Sequence, residues 1–488
     1  MLIIFVLYLA ITVLIAWWYS RGSKTNEEFV LGGKKFGGTA LALSERATGE
    51  SAWLLLGLTG HAYNEGVAAL WVALGCVVGI VFIWFVMARR LQATTQKTGA
   101  MTVSSLLGRS FPGAERNIGL LSAIIVVFFF VFYIAAQFSG SGKVLYKTFN
   151  LDPVLGILIG SVIVTIYCMM GGFIAVVVTD VFQAILMIFT LMVFPVIAIF
   201  VAESHHIHLL QMLEQADPSH LSLTQGKTGG AAILFILSGL SWALGYSGQP
   251  QLLTRMMAIR NQKEVNTAKW VASIWTILAY VGAILIGLFG LAFSQSGFLA
   301  GESSKLAADA ENILPVMVIL FVNPILAGVL LSGVISAMMS TASSELTVSS
   351  ASITEDIILR LRKAMMDNKK KLLLNQLMTL AVGIVAIILA LTMTQTVYGL
   401  VSYAWSGIGS SFGPALLLLL FWKRFSRAGV YASLISGTVS TVIWKNFLEE
   451  STGVSERLAS FVFAFAMAVI FSLLIPEKEE AAISPQQR

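Results

Sequence analysis

The chain has 488 residues, of which 57% are hydrophobic and only 11% are charged. Because a soluble protein has about 25% charged residues, this composition excludes an ordinary soluble domain and indicates a protein that crosses a membrane many times. The net charge of +6 does not indicate a nucleic-acid partner, since the basic residues lie in short loops between apolar segments. Cys76 and Cys168 lie inside apolar runs, so neither a disulfide nor a zinc site is expected.

Apolar stretches divide the chain into thirteen candidate membrane helices. No polar block is long enough to fold separately, so we predict one transmembrane domain over residues 1–476 and a charged cytoplasmic tail over residues 477–488. The first stretch is predicted to be a retained helix because it lacks a basic start and a cleavage site. The candidate helices cover residues 1–20, 39–60, 66–88, 119–142, 153–170, 174–202, 230–254, 269–294, 313–353, 372–393, 397–422, 428–447 and 458–475.

Lysine and arginine residues are distributed unevenly between the loops. Most of the 31 basic residues lie in every second loop, including Arg89, Arg255 and the run 360–371. Because short cytoplasmic loops are enriched in Lys and Arg, this alternation predicts an N-terminus outside and a C-terminus inside.

Two candidate helices contain residues that interrupt a helix. The second includes Gly49 and Gly57, and the seventh combines Gly245, Gly248 and Pro250 in one span. Broken helices free backbone groups at mid-membrane, which is tolerated only where those groups line a cavity. Two such segments five helices apart indicate a transporter built from inverted repeats. For either helix taken alone, glycines that only allow close helix packing are a sufficient explanation.

A hydroxyl-rich face is predicted in the ninth segment, between Ser332 and Ile353. Hard cations such as Na⁺ take oxygen ligands, so this face suits an ion site. Small residues that let helices pack closely explain the same pattern equally well. In a helix, the residues that share the face are Ser336, Ser340, Ser343, Ser344 and Thr347.

Six motifs in matching order resemble the sodium/solute symporter family and, within it, the bacterial sodium/proline symporters. They run through the whole chain, and their joint occurrence is far more specific than any one of them. The motifs are FVLGGKKFG from Phe29, SAWLLLGLTG from Ser51, YCMMGGFIAVVVTDVFQAILM from Tyr167, SWALGYSGQPQLLTRMMA from Ser241, NPILAGVLLSGVISAMMSTASSELTVSSASITEDI from Asn323, and GLVSYAWSGIGSSFGP from Gly399.

The resemblance implies an all-α membrane protein with a leucine-transporter-like fold. Its two inverted five-helix repeats would cover about residues 39–202 and 230–422, with one extra helix before them and two after them. It implies that the protein is not an enzyme. The implied function is Na⁺-coupled symport of a small organic solute, such as the amino acid proline, by alternating access across the bacterial cytoplasmic membrane. The alternatives are symport of another amino acid, a short carboxylate or a sialic-acid-like sugar acid, or a sensor that binds a solute without transporting it.

The expected partners are therefore the solute, the lipid bilayer and Na⁺, as one ion or two, with no organic cofactor. By resemblance, the first sodium site consists of Ala47, Glu50, Ala337, Ser340 and Thr341. A second sodium site would consist of Asp180, Ser340, Ser343 and Ser344. An intramembrane carboxylate such as Asp180 costs about 2.5 to 3.5 kcal/mol on insertion scales, which a Na⁺ ion or a hydrogen bond to a helix end would offset. The implied solute site consists of Ser51, Ala52, Trp242, Tyr246, Pro250, Tyr403, Trp405 and Ser406.

One position departs from the proline symporters. Gly49 stands where they have an aspartate required for Na⁺, and Glu50 follows it directly. Arg46 lies four residues before Glu50 and is spaced to pair with it, next to Glu45. These charges either form a structural ion pair or alter the solute and ion specificity, with Glu345 as a further candidate partner for Arg46.

Overall fold

A computed structural model describes residues 1–20, 25–149, 151–362, 366–393 and 395–477. Within these residues the secondary structure is entirely helical, without strands. Almost all of the predicted tail, and residues 363–365 of the basic run, lie outside the described residues. In the described part of the chain, ten helical stretches are long and apolar enough to cross a membrane.

The described residues form twenty-three α-helices, ten before residue 217 and thirteen after it. The first ten are α1 (Leu2–Ser20), α2 (Asn26–Leu31), α3 (Gly38–Gly49), α4 (Thr59–Glu65), α5 (Leu70–Phe82), α6 (Ala88–Thr98), α7 (Val103–Arg109), α8 (Glu115–Phe149), α9 (Pro153–Ser204) and α10 (Leu209–Ala216). The others are α11 (Gly229–Leu240), α12 (Trp242–Tyr246), α13 (Pro250–Met257), α14 (Gln262–Gln295), α15 (Ser303–Ala308), α16 (Ile313–Phe321), α17 (Pro324–Ala351), α18 (Leu359–Arg362), α19 (Asn368–Thr392), α20 (Val397–Phe421), α21 (Arg427–Ile443), α22 (Glu449–Thr452) and α23 (Glu456–Leu474).

Two of these ten stretches have more than 40 residues, enough for two membrane crossings. The stretch Trp53–Thr98 has 46 residues and α9 has 52, whereas about 20 residues cross a bilayer. A non-helical Gly172, with φ 54° and ψ −146°, divides α9 between the predicted segments 153–170 and 174–202. A Cβ atom at this glycine would lie 2.5 Å from the ring of Phe29, so the kink also lets α2 approach α9. The prediction of thirteen membrane helices is consistent with this division and stays a prediction.

The predicted ninth segment, residues 313–353, is not one helix, so its predicted start was wrong. The short helix α16 ends at Phe321, and a new helix, α17, begins at Pro324. The Asn323 side chain accepts hydrogen bonds from the first free backbone N–H groups of α17, and proline is favoured at the first helical position. Apolar residues continue through this turn, which is why hydropathy did not show it.

Both predicted helix interruptions are present. The α3 helix ends at Gly49 and Glu50 leaves helical geometry at φ −102°, ψ 46°, before a π-helical segment, Trp53–Leu58. The α12 helix ends at Tyr246, and α13 begins at Pro250 after an extended Gln249. The α3 helix packs against α9, α13, α14 and α17, and α12 packs against α5 and α20. The two interruptions therefore lie in the interior of the helix assembly.

Candidate functional site

A buried ion-pair triad lies at the end of α3, directly before its interruption. Arg46 Nη1 donates to Glu50 Oε1 at 2.6 Å, and Arg46 Nε donates to Glu45 Oε2 at 2.6 Å. Arg46 Nη2 also pairs with Glu45, and all three side chains are fully buried. The predicted Arg46–Glu50 pair is present, and Glu45 shares the same guanidinium, which leaves the triad with one net negative charge when both carboxyl groups are ionised.

Neighbouring helices complete the hydrogen bonds of the triad. Trp84, in the segment between α5 and α6, donates its indole N–H to Glu45 Oε2 at 2.9 Å. Arg46 Nη1 donates to the Thr276 hydroxyl of α14 at 3.2 Å. Because buried charges are stable in a membrane only when paired and hydrogen-bonded, these contacts fix the end of α3 to two other helices.

A pair of tyrosines extends the triad to the second interruption. The Tyr280 hydroxyl of α14 donates to Glu50 Oε2 at 2.7 Å. It also lies 3.0 Å from the hydroxyl of Tyr246, the last residue of α12. The interruptions of α3 and α12 are thus joined by one continuous chain of buried polar contacts.

Gly49, where the chain departs from the proline symporters, leaves room for the ion-pair triad. A Cβ atom added to Gly49 would lie 3.2 Å from Leu252 Cδ2 of α13 and 3.5 Å from Arg46 Nη2. An aspartate there would need Leu252 to shift and would place its carboxyl group beside the guanidinium. The carboxylate of this chain lies one residue later, at Glu50, where it contacts Arg46 without crowding α13.

A second buried ion pair joins α9 to α13. Asp180 Oδ2 accepts from Arg255 Nη2 at 3.0 Å and from the Ser44 hydroxyl at 2.6 Å. Arg255 Nε donates to Ser44 at 3.1 Å, and Arg255 Nη2 also contacts the Ser344 hydroxyl. The charge of Asp180 is therefore compensated by an arginine, a partner that was not among the two predicted for it.

The prediction that Arg255 is a cytoplasmic loop residue was wrong. Its side chain is 1% exposed and lies in the second turn of α13, which begins at Pro250. Arg255 Nη1 donates to the backbone oxygen of Gln251 at 2.8 Å, so the guanidinium turns back toward the interruption rather than out to solvent.

The hydroxyl-rich face of α17 meets the end of α3. Thr341 donates to the backbone oxygen of Thr48 at 2.7 Å, and the Thr48 hydroxyl lies 2.8 Å from the Ser344 hydroxyl. Carbonyls in the last turn of a helix lack partners inside the helix, so α17 supplies donors where α3 stops. Ala47 precedes Thr48 in this last turn, and both residues are fully buried.

The other predicted sodium ligands differ in their bonding. The Ser343 hydroxyl donates to the backbone oxygen of Ser340, within its own helix, at 2.9 Å. The buried Ser340 hydroxyl has no hydrogen-bond partner among the described residues. Ala337 is fully buried one turn earlier on α17. Thr341 is thus placed at the end of α3, whereas the Ser343 hydroxyl is already bonded to its own backbone.

An aromatic cluster surrounds the two interruptions. The rings of Trp53 and Trp242 have centroids 4.4 Å apart, and the Tyr246 and Trp405 rings 4.6 Å. Trp242 and Trp405 are 6.1 Å apart, which makes the cluster continuous. In the part of the chain that the structure describes, the indole N–H groups of the three tryptophans have no acceptor. The cluster offers apolar ring faces and unsatisfied donors together.

Residues of α8 close the cluster beside the interruption of α3. Gln137 Oε1 accepts from the backbone N–H of Ala52 at 3.0 Å. The Tyr133 hydroxyl lies 3.4 Å from the Ser51 hydroxyl, which accepts from the backbone N–H of Trp53 at 3.1 Å. The predicted residues Ser51 and Ala52 are therefore held at the break by two α8 side chains.

Three predicted solute-site residues lie elsewhere. Tyr403 packs against Phe129 of α8, with centroids 5.6 Å apart, and is only partly buried. The Ser406 hydroxyl donates to Glu456 at 2.9 Å, toward α23. Pro250 lines a small cavity beside Arg255 rather than the aromatic cluster. Of the predicted solute-site residues, the structure gathers Ser51, Ala52, Trp242, Tyr246 and Trp405.

The prediction that Glu345 is a partner for Arg46 was wrong. Arg46 is bonded to Glu45, Glu50 and Thr276. Glu345 is fully buried on α17, and neither of its carboxyl oxygens has a hydrogen-bond partner within the described ranges.

Several residues of this site were not predicted from the sequence. Gln137 and Tyr133 lie in an apolar helix, where a glutamine is unusual enough to have been noticed. Arg255 follows Pro250 inside a quoted motif, so its place in a half-helix could have been inferred. Tyr280 and Thr276 carry no local signal, because their role depends on which face of α14 meets α3.

Comparison with known proteins decides the family. The model of the sodium:solute symporter family matches residues 29–437. The chain belongs to this family. It is 34% identical to the high-affinity proline transporter of Bacillus subtilis (strain 168) over 473 residues, which cover 96% of each chain. It is 33% identical to the sodium/proline symporter of Escherichia coli (strain K12) over 476 residues, covering 97% of this chain and 93% of the other.

Solved structures show the same fold. A Na⁺-coupled sialic acid symporter in a substrate-bound outward-open state aligns with a TM-score of 0.79 at 19% identity, covering 98% of both chains. The transporter MhsT in complex with L-phenylalanine aligns with a TM-score of 0.55 at 15% identity, covering 89% of this chain and 97% of the other. The predicted all-α, leucine-transporter-like fold is confirmed. As a member of the sodium:solute symporter family, the protein is a membrane transporter rather than an enzyme.

Proposed function

We propose that this symporter imports L-proline together with Na⁺ by alternating access. The observation that carries the proposal is the meeting of two interrupted helices, α3 with α12 and α13, inside a buried aromatic cluster. The ring of proline suits the faces of Trp53 and Trp242, and its carboxylate suits the free indole N–H groups. Relatives that are named proline symporters or transporters support the same solute.

The sodium site lies, in this proposal, between the end of α3 and the hydroxyl face of α17. Its ligands are the backbone oxygens of Ala47, Glu50 and Ala337 with the hydroxyls of Ser340 and Thr341. The contact of Thr341 with the Thr48 carbonyl supports it, because this contact puts hydroxyl and carbonyl oxygens on facing helices. Coupling follows if Na⁺ binds the closed arrangement of these helices better than the open one.

The proposed stoichiometry is one Na⁺ per solute. The second predicted site, around Asp180, Ser340, Ser343 and Ser344, already has a cation, since Arg255 pairs with Asp180. Two positive charges beside one carboxylate repel each other in a low-dielectric interior.

The proposed topology follows the loop charges and the paired interruptions. In the bacterial cytoplasmic membrane, the N-terminus lies on the outer side and the C-terminus on the cytoplasmic side. Residues 39–202 and 230–422 form the two inverted repeats, each beginning with an interrupted helix. All are parts of one transport domain over residues 1–476, followed by a cytoplasmic tail at residues 477–488.

Uptake into proteoliposomes tests the function. With an inward Na⁺ gradient, the purified protein is expected to accumulate labelled L-proline, and replacing the gradient with K⁺ should abolish accumulation. Unlabelled alanine, glutamate, short carboxylates and sialic acid serve as competitors. Stronger competition by one of these than by proline would identify a different solute, and binding without any flux would identify a sensor.

Replacing Thr341 with valine is expected to weaken the apparent Na⁺ affinity by about tenfold. The change preserves shape and removes a hydroxyl at the proposed sodium site, and one lost hydrogen bond or ligand costs about 1 to 1.5 kcal/mol. The measurement is the Na⁺ dependence of proline uptake.

Thr347→Val is the matched control. Its hydroxyl lies on the same helix but donates to its own backbone, at Ser343, at 2.8 Å. This control variant is expected to keep the parental Na⁺ dependence. If both valine substitutions change the Na⁺ dependence equally, Thr341 is not a ligand of the sodium ion.

A further inference from the structure

Glu345 is a buried carboxylate without a described partner. It lies on α17 one turn after Thr341, is fully buried, and has two oxygens that accept no hydrogen bond in the described part of the chain. A buried carboxylate is costly unless it meets a cation or donors, so this position points to a group that the protein itself does not supply.

Charged groups on the neighbouring helices do not fill this role. Asp180 of α9 and Arg255 of α13 neutralise each other, and Arg46 of α3 is shared by two glutamates. The arginines of α3 and α13 are therefore already paired with other carboxylates.

The position of Glu345 relates it to the interruption of α3. It lies one turn after Thr341, whose hydroxyl donates to the backbone oxygen of Thr48 in the last turn of α3 at 2.7 Å, and α17 packs against both α3 and α8. On α8, the Tyr133 hydroxyl lies 3.4 Å from the Ser51 hydroxyl, at the break. Glu345 thus lies on the helix that borders both the end of α3 and α8.

The interruptions are also bordered by donors that lack acceptors. The Gln137 oxygen accepts from Ala52, and its Nε2 group has no acceptor within the described ranges. The indole N–H groups of Trp53, Trp242 and Trp405 are also free of acceptors among the described residues. A ligand that carries a cationic group at one end and an anionic group at the other would satisfy both sides at once.

We propose that Glu345 binds the ammonium group of the transported solute and so restricts transport to amino-bearing acids. This role rests on the proposed symport function but does not require that the solute be proline. In the complex the ammonium donates to the Glu345 carboxylate, while the carboxylate of the solute accepts from the indole and amide N–H groups. An acid of the same shape without nitrogen would leave Glu345 buried and unpaired.

Thermal-shift titrations with matched pairs of ligands in Na⁺ test this inference. The pairs are L-proline with cyclopentanecarboxylate, L-alanine with propionate, and L-glutamate with glutarate. In the parent protein, at least one amino acid is expected to bind, and to bind much more tightly than its partner without nitrogen. Equal stabilisation by both members of the pairs, or binding of the acids only, would overturn the role of Glu345. Binding of alanine without proline would overturn the proposed solute alone.

Glu345→Gln is expected to weaken binding of the amino acid by about 30-fold, which is the lower end of the effect of removing one partner of a buried charge pair. Binding of the acid without nitrogen should change little, so the preference for the amino group falls by the same factor. The apparent Na⁺ affinity, measured without solute, should stay unchanged.

Two further variants complete the test. Glu345→Asp keeps a carboxylate and should retain part of the preference, and it decides the question if the glutamine variant does not fold. Glu302→Gln removes a partly exposed carboxylate that pairs with the exposed Lys305 in an outer segment, and should bind like the parent. An unchanged preference for the amino group in the folded Glu345 variants would contradict the proposal.

Discussion

Replacing Arg46 with leucine is expected to abolish Na⁺-driven uptake and to reduce sharply the amount of folded protein. The change leaves Glu45 and Glu50 buried without their shared cation, and removing one partner of a buried pair costs about 3 to 5 kcal/mol. That is a large fraction of the stability of an ordinary protein. Thermal stability in detergent and proline uptake in proteoliposomes are the two measurements.

The matched control for this substitution is Arg260→Leu. Arg260 pairs with Glu264 at the same four-residue spacing, but its side chain is 49% exposed. Exposed pairs contribute about 0 to 1 kcal/mol, so the control should fold and transport like the parent.

A neutral triad separates charge from packing. Glu45→Gln, Arg46→Gln and Glu50→Gln together remove all three charges, and glutamine has the same shape as the two glutamates that it replaces. We expect this variant to recover much of the thermal stability lost in Arg46→Leu. If the triple variant is as unstable as the leucine variant, the loss does not come from unpaired carboxylates.

The interruptions of the helices were predictable because their causes are local. Gly49 weakens α3, and Pro250 starts α13 because it cannot continue the preceding helix. The pairing of Arg46 with Glu50 follows from their spacing in one helix. Features of this kind need only the chemistry of neighbouring residues along the chain.

Other features depend on which helix faces meet. Tyr403 and Trp405 are two residues apart on α20, so their side chains point about 160° away from each other, and both could not line one cluster. The structure places Trp405 with Trp242 and Tyr403 with Phe129. Helix geometry alone could have excluded the joint prediction, whereas the choice of Trp405 required the packing of α20 against α12.

Hydropathy also misplaced a charged residue for a physical reason. Hydropathy places the end of the seventh segment at Thr254, because the charge of Arg255 lowers the mean hydropathy of any window that includes it. The guanidinium is nevertheless buried, since Asp180 and Ser44 provide its partners from other helices. A charge in a membrane helix is tolerated when its partner lies on another element, which a window along one segment does not detect.

Asp180→Asn is expected to abolish transport, and Arg255→Gln added to it is expected to restore a substantial part. The single change leaves the Arg255 guanidinium buried and unpaired, at a cost of about 3 to 5 kcal/mol, whereas the double change removes both charges. The measurements are the rate of proline uptake and the ratio of Na⁺ to solute.

The ratio distinguishes the two roles of Asp180. If Arg255 is its cation throughout the transport cycle, the parent and the double variant should carry the same number of Na⁺ ions per solute. If Asp180 instead releases Arg255 and binds a second Na⁺, the double variant should carry one Na⁺ fewer than the parent, even where uptake recovers. A lower ratio would therefore show that the ion pair seen between α9 and α13 opens during transport, and that Ser343 and Ser344 face an ion in another state of the protein.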